Sequence, residues 1–201
     1  MMRSAWMPWL LAASVTLLIG IAVRMEPYFA GDVHLARAVQ AALPSPEWWA
    51  TPVSRLAPAP GKYYVMAIVL VASYLVAGWR GLVLIIGVLL VEQLGAESTK
   101  FLFQRPRPSP DLIAVSGKFS GFTFPSTTIT FLSVSFGGLG ILAMLSRKAP
   151  NRWAIATVSF GVLLLACLAR VALGAHWPSD VLLTAVVCLT WTWAAARVVL
   201  R

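Results

Sequence analysis

Long apolar runs, separated by more polar connections, dominate the chain. A helix that crosses a bilayer needs about 20 mostly apolar residues, and several of these runs approach that length. Backbone groups inside hydrocarbon must bond within their own segment, so the runs are predicted to be helices and not strands. The predicted spans cover residues 6–23, 63–79, 81–103, 126–145, 153–173 and 180–200. The pattern therefore predicts an all-α integral membrane protein with six transmembrane helices.

The connections between these spans differ in length and in polarity. Residues 79–81 are predicted to form a tight turn, whereas segment 24–62 is long and rich in proline. Within that segment, residues 32–43 have the pattern of a short helix lying on the membrane surface. The first apolar run, 6–23, is too long for the core of a signal peptide, so it is predicted to be a membrane helix.

Composition supports the membrane assignment. The chain is 59% hydrophobic and 11% charged, about half the charged fraction of a soluble domain. The net charge of +9 is spread thinly between apolar runs, which fits membrane flanks and an anionic substrate better than a nucleic-acid partner. Cys167 and Cys188 lie inside apolar runs, where cysteine acts as a small hydrophobe, so no disulfide and no metal site are predicted.

Charge in the short loops favours one orientation. Six spans put both termini on the same side, and dense basic charge in short loops is typical of the cytoplasmic side. The basic residues predicted there are Arg3, Arg80, Arg147, Lys148, Arg152, Arg197 and Arg201. We therefore expect cytoplasmic termini, with segment 24–62 as an extracytoplasmic interfacial segment. The compact chain favours a bacterial cytoplasmic membrane.

Polar clusters at 100–108, 124–128 and 170–180 lie together on the predicted outer side. Ionisable groups at membrane boundaries are costly and usually functional. The cations Lys100, Arg107 and Arg170 are suited to one dianionic group, because arginine offers phosphate a planar fork of donors and lysine adds a point charge. Ser126 begins a predicted helix, where free N–H groups and the helix dipole favour an anion.

His176 and Asp180 are four positions apart. If their segment is helical, they share a face, and the carboxylate can bond one ring nitrogen. The other nitrogen is then an oriented nucleophile. A structural alternative makes Ser179 the N-cap of a helix with Asp180 in its first turn. That alternative explains Ser179 and Asp180, but it leaves His176 and Arg170 without a role.

Three motifs in order, Lys-x6-Arg-Pro, Pro-Ser and Arg-x5-His-x3-Asp, span residues 100–180. Together they resemble the signature of the type-2 phosphatidic acid phosphatase (PAP2) superfamily. The six-helix pattern extends the resemblance over residues 1–201, as a single PAP2-like membrane domain. The resemblance implies a helical bundle that removes phosphate from a lipid phosphate or diphosphate, with no metal and no other cofactor.

The resemblance also implies roles for individual residues. His176 would attack phosphorus and form a phosphohistidine, Asp180 would orient His176, and water would then release phosphate. The residues implied to hold the phosphate oxygens are Lys100, Arg107, Ser126, Thr127 and Arg170.

The second motif departs from the family pattern. It reads Pro125-Ser126-Thr127-Thr128, where the family has Pro-Ser-Gly-His and uses that histidine as the general acid. A monophosphate must expel an alkoxide, which needs a proton, whereas a diphosphate expels a much less basic phosphate ester. Acid catalysis contributes about 10²–10⁴-fold and matters least for the better leaving group. We therefore hypothesise a preference for an isoprenyl diphosphate such as undecaprenyl diphosphate.

A second hypothesis is that another residue supplies the proton that the missing histidine would donate. The candidates are Thr128, His34, Glu97 and Asp111. Simpler interpretations make His34 an interfacial residue, Glu97 an ion-pair partner of Lys100 and Asp111 a solvated loop residue. Arg105 and Lys118 are predicted to be headgroup contacts or solvated charges.

Two alternatives to hydrolysis stay open at the level of sequence. A phosphotransferase would pass the phosphohistidine group to another lipid. A catalytically silent relative would bind or move phospholipids, and the absent second-motif histidine favours that alternative.

Overall fold

The computed structural model describes residues 6–146, 149 and 151–200, without the side chains of residues 96 and 97. The regular structure in this part of the chain is helical throughout. The helices are α1 Met7–Met25, α2 Asp32–Ala42, α3 Pro46–Ser54, α4 Gly61–Phe103, α5 Thr127–Leu132, α6 Gly138–Leu145, α7 Arg152–Ala172 and α8 Pro178–Val199. A π-helical segment, Ser133–Gly137, joins α5 to α6. Arg3, Arg147, Lys148 and Arg201 lie outside the described residues.

Helix α4 is a hairpin of two antiparallel arms. Lys62 Nζ lies 3.3 Å from Glu92 Oε2, although 30 positions of straight helix would separate the two residues by about 45 Å. The reversal occurs at Gly78, whose φ of 63° and ψ of −154° are open to glycine and strained for other residues. The turn is tight, because a Cβ on Gly81 would lie 2.5 Å from the Ser73 carbonyl oxygen.

The hairpin reconciles the helix count with six membrane crossings. In the described residues, five helices are long and apolar enough to span a bilayer, and α4 is counted among them as one helix. Because α4 reverses at Gly78, it contributes two crossings. The predicted all-α membrane fold is confirmed, and the predicted turn at 79–81 begins one residue earlier, at Gly78.

The continuous segment Thr127–Leu145, made of α5, the π-helical segment and α6, is the centre of the bundle. In its most apolar stretch of 18 residues 72% are buried, whereas in that of α1 only 17% are buried. Small residues let neighbouring helices approach it closely, as is common between membrane helices. A Cβ on Gly137 would lie 2.5 Å from the Leu189 side chain, and one on Gly138 would lie 2.8 Å from the Ile85 side chain.

Segment 24–62 forms two short helices. Helix α2 occupies most of the predicted surface helix at 32–43, whereas α3 was not predicted. Gln40 in α2 donates a hydrogen bond to the Ala114 carbonyl oxygen at 2.7 Å, and Arg37 donates to the Leu112 carbonyl oxygen at 2.9 Å. These bonds tie α2 to the connection between α4 and α5.

Candidate active site

His176 lies in the short link between α7 and α8 and is 2% exposed. The link turns at Gly174, which has a φ of +67°, and a Cβ on Gly174 would overlap the carbonyl oxygen of Ala114. The Ser116 N–H donates to the Leu173 carbonyl oxygen at 2.9 Å. The left-handed turn and this close approach fix the backbone two residues before the histidine.

Both ring nitrogens of His176 meet hydroxyl groups. Nε2 lies 3.2 Å from Ser126 Oγ, and Nδ1 lies 3.0 Å from Thr123 Oγ1. The Thr123 hydroxyl donates to Asp180 Oδ2 at 2.6 Å. The distance from His176 Nδ1 to Asp180 Oδ2 is 3.9 Å, which is too long for a hydrogen bond. The direct bond predicted from the four-residue spacing is therefore replaced by a contact through Thr123.

Arg105 is a buried structural cation, and its predicted place among headgroups or solvent is wrong. Its side chain is fully buried and ion-paired with Asp180 and with Asp32 Oδ2, the latter at 3.3 Å. It also donates to Ser179 Oγ at 2.9 Å, and its guanidinium carbon lies 4.8 Å from the centre of the Phe29 ring. A buried charge needs such partners, because loss of hydration is costly.

The start of α8 holds Asp180 in place. The N-cap is Trp177, and Asp180 is in the first turn, so Ser179 is not the cap that the structural alternative proposed. The Trp177 N–H donates to Asp180 Oδ2 at 2.9 Å. The carboxylate of Asp180 thus accepts hydrogen bonds from Trp177, Thr123 and Arg105.

Two further arginines flank the ring of Phe119. The guanidinium carbons of Arg170 and Arg107 lie 5.3 Å and 5.9 Å from the ring centre. Arg107 is also held by carbonyl oxygens, at 3.0 Å for Ser120 and 2.6 Å for Ala175, the residue before His176. The buried Nε of Arg170 meets no acceptor among the groups that the structure describes.

The environment of His176 keeps the ring neutral. Burial lowers the pKa of His176 well below its ordinary value, and the charges of Arg170, Arg107 and Lys100 lower it further, whereas a hydrogen bond with the backbone of Thr123 opposes the shift. All three predicted phosphate-binding cations are therefore close enough to act on the ring electrostatically. A neutral ring leaves one nitrogen with a free lone pair at neutral pH.

Ser126 begins a helix, as predicted from the sequence. It is the N-cap of α5, and its own N–H donates to Thr184 Oγ1 at 3.2 Å. Thr127 and Thr128 occupy the first turn and are half-buried. Backbone N–H groups in a first turn have no preceding helical carbonyl to bond.

An apolar cavity of about 830 Å³ lies beside the cluster of polar residues around His176, between α1, the second arm of α4 and α8. Phe124 and Pro125, which directly precede Ser126, line one part of it, and Val199 near the end of α8 lines another. Gly87 on the second arm of α4 also lines the cavity. The cavity therefore extends from the neighbourhood of His176 along the membrane-spanning helices.

Residues 78–201 match the model of the PAP2 superfamily. This chain belongs to the PAP2 superfamily. Two solved structures share its fold with a TM-score of 0.65 each. One is the first transmembrane PAP2 type phosphatidylglycerolphosphate phosphatase from Bacillus subtilis, at 18% identity over 94% of this chain and 93% of that one. The other is Aquifex aeolicus LpxE, at 20% identity over 84% of this chain and 96% of that one. No protein among the curated sequences matches the chain.

Family membership identifies the class of the protein. It is an integral membrane protein with the fold of the PAP2 lipid phosphatases, and a PAP2-type hydrolase of phosphoric esters. Residues of the three PAP2 motifs meet near the end of α7 and the starts of α5 and α8, because Ser126 Oγ contacts His176 Nε2 and Arg107 donates to the Ala175 carbonyl oxygen.

The alternative proton donors have different surroundings. His34 is exposed on α2, on the face opposite the buried residues Asp32 and Ala36, so the helix directs it away from the PAP2 motifs. Asp111 is exposed and accepts a hydrogen bond from Ser109 Oγ at 2.9 Å. The side chain of Glu97 lies outside the described part of the chain.

Three residues of the cluster carried no recognisable sequence pattern. Thr123 precedes the Pro-Ser motif by two positions, Arg105 precedes Arg107 by two, and Asp32 lies far from every motif. Nothing in the sequence indicates that Arg105 is buried, because the segment Arg105-Pro106-Arg107-Pro108 is typical of a stiff basic linker.

Proposed function

We propose that this PAP2 protein removes phosphate from a membrane lipid through a phosphohistidine on His176. The observation that carries the proposal is the neutral His176 ring, with Nε2 beside Ser126 and within the field of Lys100, Arg107 and Arg170. A neutral imidazole is a nucleophile, and surrounding cations attract and stabilise the phosphoryl group that it attacks.

The phosphate oxygens would be held by the three cations and the start of α5. Arg170 supports this assignment directly, because its buried Nε lacks an acceptor among described groups, and a phosphate oxygen would supply one. Carbonyl bonds to Arg107 and the Phe119 ring hold both guanidiniums in place before substrate arrives. Ser126 and the N–H group of Thr127 would add donors.

The chemical step is a displacement at phosphorus. The lone pair of His176 Nε2 forms the bond to phosphorus, and the bond from phosphorus to the leaving oxygen breaks, with its electron pair passing to that oxygen. The oxygen of a water molecule then bonds to phosphorus, and the bond from phosphorus to Nε2 breaks with its electron pair returning to the ring. Inorganic phosphate leaves with the protons of that water, and the ring becomes neutral again. The cations stabilise the charge on the phosphoryl oxygens in both steps.

The apolar cavity supports a lipid substrate. Its lining residues Phe124 and Pro125 directly precede Ser126, so a hydrocarbon chain inside it would be attached to a headgroup near His176. One of the two solved structures with this fold is named a phosphatidylglycerolphosphate phosphatase, which supports a lipid phosphate as the substrate here. We propose a bacterial cytoplasmic membrane, with cytoplasmic termini and the site on the outer face.

Within lipid phosphates, we favour a diphosphate such as an isoprenyl diphosphate. Thr128 stands where the PAP2 pattern has its acid, and the α2 helix directs His34 away from the cluster. A leaving group that needs no proton suits a site of this composition. Transfer of phosphate to a second lipid requires the same phosphohistidine and differs only in the acceptor.

A phosphate-release panel tests the proposal. Purified protein would be offered isoprenyl diphosphate, phosphatidic acid, phosphatidylglycerol phosphate and lipid A, and compared with His176→Gln and His34→Gln variants. We expect release by the wild-type protein and by His34→Gln, and its loss in His176→Gln. Labelled phosphate should be trapped on His176 and remain bound on alkaline gels.

Other outcomes separate the alternatives. Labelled His176 that is discharged only when an acceptor lipid is present would identify a phosphotransferase. Lipid binding without any labelling of His176 would identify a silent relative and would contradict the proposed hydrolysis.

A further inference from the structure

Thr123 occupies the space between His176 and Asp180. Its hydroxyl oxygen lies 3.0 Å from His176 Nδ1 and 2.6 Å from Asp180 Oδ2, while that nitrogen and that carboxylate oxygen are 3.9 Å apart. Thr123 is fully buried, and its N–H donates to the Arg105 carbonyl oxygen at 2.9 Å. The hydroxyl is therefore held at both its backbone and its side chain.

The hydrogen bonds of this group can be assigned from donor and acceptor counts. A hydroxyl has one proton to donate, and an ionised carboxylate accepts only. The 2.6 Å contact with Asp180, which is ion-paired with Arg105, therefore uses the proton of Thr123. The Thr123 oxygen is left as an acceptor, so the proton of the neutral His176 ring is on Nδ1. Nε2 then carries the ring's lone pair, which accepts a hydrogen bond from the Ser126 hydroxyl.

We infer that Thr123 is a positioning residue for His176, which passes the orienting effect of Asp180 to the ring through its hydroxyl. The inference rests on the proposed function. As Nε2 bonds to phosphorus, positive charge develops on the ring, and the hydrogen bond that Nδ1–H donates to the Thr123 hydroxyl oxygen becomes stronger. The proton stays on Nδ1 throughout, and the carboxylate behind Thr123 stabilises the charge without contacting the ring.

Two substitutions separate the hydroxyl from the shape of the side chain. Thr123→Val keeps the shape and removes the hydroxyl, whereas Thr123→Ser keeps the hydroxyl. We expect kcat to fall on the order of 10²-fold in Thr123→Val, the typical cost of a misplaced reacting group, with KM nearly unchanged, and to recover most of the wild-type value in Thr123→Ser. A valine variant with wild-type kcat, or a serine variant as slow as the valine variant, would overturn the inference.

The ring tautomer provides a readout that needs no turnover. The chain has two histidines, so a His34→Gln background leaves His176 as the only one for ¹⁵N NMR in micelles. We expect the Nδ1–H tautomer in the Thr123 protein. In Thr123→Val we expect the Nε2–H form, because that proton can still be donated to Ser126. An Nε2–H tautomer in the protein with Thr123 intact would overturn the inference, even if no variant could be purified.

The two failures are distinguishable. Absence of labelled phosphate on His176 in wild-type protein would contradict the proposed function and leave the tautomer result to stand on its own. Normal labelling with the wrong tautomer would contradict the role of Thr123 alone.

Discussion

Ser179 donates two hydrogen bonds to the carboxylate of Asp32, from its N–H at 2.9 Å and from its hydroxyl at 2.7 Å, across 147 positions of sequence. The contact fastens the start of α8 to the start of α2. Asp32 also lies 3.3 Å from Arg105, whose guanidinium is ion-paired with Asp180. Helix α2 is therefore part of the structure that holds Asp180.

Removal of the Asp32 carboxylate should destabilise the protein strongly. Asp32→Ala leaves the buried Arg105 without one of its two carboxylate partners, and breaking a buried ion pair costs about 3–5 kcal/mol. Equilibrium unfolding in mixed micelles measures this loss. Asp111→Ala is the matched control, since Asp111 is exposed, and its effect should stay within about 0.5 kcal/mol. Equal effects of the two substitutions would contradict the role assigned to Asp32.

The backbone turn before His176 should be sensitive to a single methyl group. Gly174→Ala would force an alanine into a φ of +67° and push its Cβ into the Ala114 carbonyl. The resulting shift of His176 should lower kcat by about 10²-fold, the typical cost of a displacement near 1 Å. Gly161→Ala in α7, where a Cβ meets open space, should leave phosphate release unchanged. Full activity of Gly174→Ala would show that the turn does not position the ring.

The acid limb of the pH profile should report His176. Because burial and three cations lower the pKa of His176, the ring stays neutral below the ordinary histidine value of about 6.5, and kcat/KM should fall only at lower pH. Lys100→Met removes one of these cations, so the pKa of His176 rises and the limb moves to higher pH.

The control for this profile is Lys118→Met. Lys118 is exposed and does not contribute to the shift at His176, so its removal should leave the limb in place. The same substrate is used for all variants, and its own ionisation therefore cancels in the comparison. A limb that stays in place, or that moves to lower pH, in Lys100→Met would contradict the electrostatic assignment.

Filling the apolar cavity should weaken the binding of long-chain substrates selectively. Gly87 lines the cavity, and a Cβ on it meets nothing within 4 Å, so Gly87→Leu adds apolar volume at the cavity wall from a position where the first side-chain atom has space. We expect KM to rise for a long-chain lipid phosphate and to stay unchanged for a short-chain, water-soluble analogue. Gly161→Leu is the control of equal size outside the cavity. An equal rise in KM for both chain lengths would argue against a chain in this cavity.

The sequence predicted the membrane spans well because hydropathy acts along the chain. An apolar run must be helical in a bilayer whatever surrounds it, and the spans at 6–23 and 126–145 therefore needed no tertiary information. Helix α3 was missed because Pro46 and Pro52 suggested an irregular connection. Its stability comes from packing, with Ala50 buried against Ala169 and Leu173 of the α7 end.

Residues of the site could be predicted only where they belong to a motif with a fixed spacing along the sequence. Lys100 and Arg107 were singled out because a motif fixes their separation. Thr123 and Arg105 were not, since their roles arise from contacts with Asp180 across 57 and 75 positions. A buried arginine between prolines has the same local pattern as a solvated one, so tertiary structure alone distinguishes them.

The second motif offers a test of how the leaving group is released. Thr128 lies in the first turn of α5, two positions after Ser126, where the PAP2 pattern has its histidine. Thr128→His restores an acid and should raise kcat on a lipid monophosphate by about 10-fold or more, because its alkoxide needs a proton. The gain on a lipid diphosphate should be much smaller.

Thr128→Asn is the control for that substitution, since it is polar and of intermediate size but donates no proton at neutral pH. It should leave both rates low or unchanged. Wild-type protein that already turns over the monophosphate faster than the matched diphosphate would contradict the preference derived from Thr128. Equal gains on both substrates in Thr128→His would mean that the two leaving groups depend equally on a proton. The argument from leaving-group basicity would then fail.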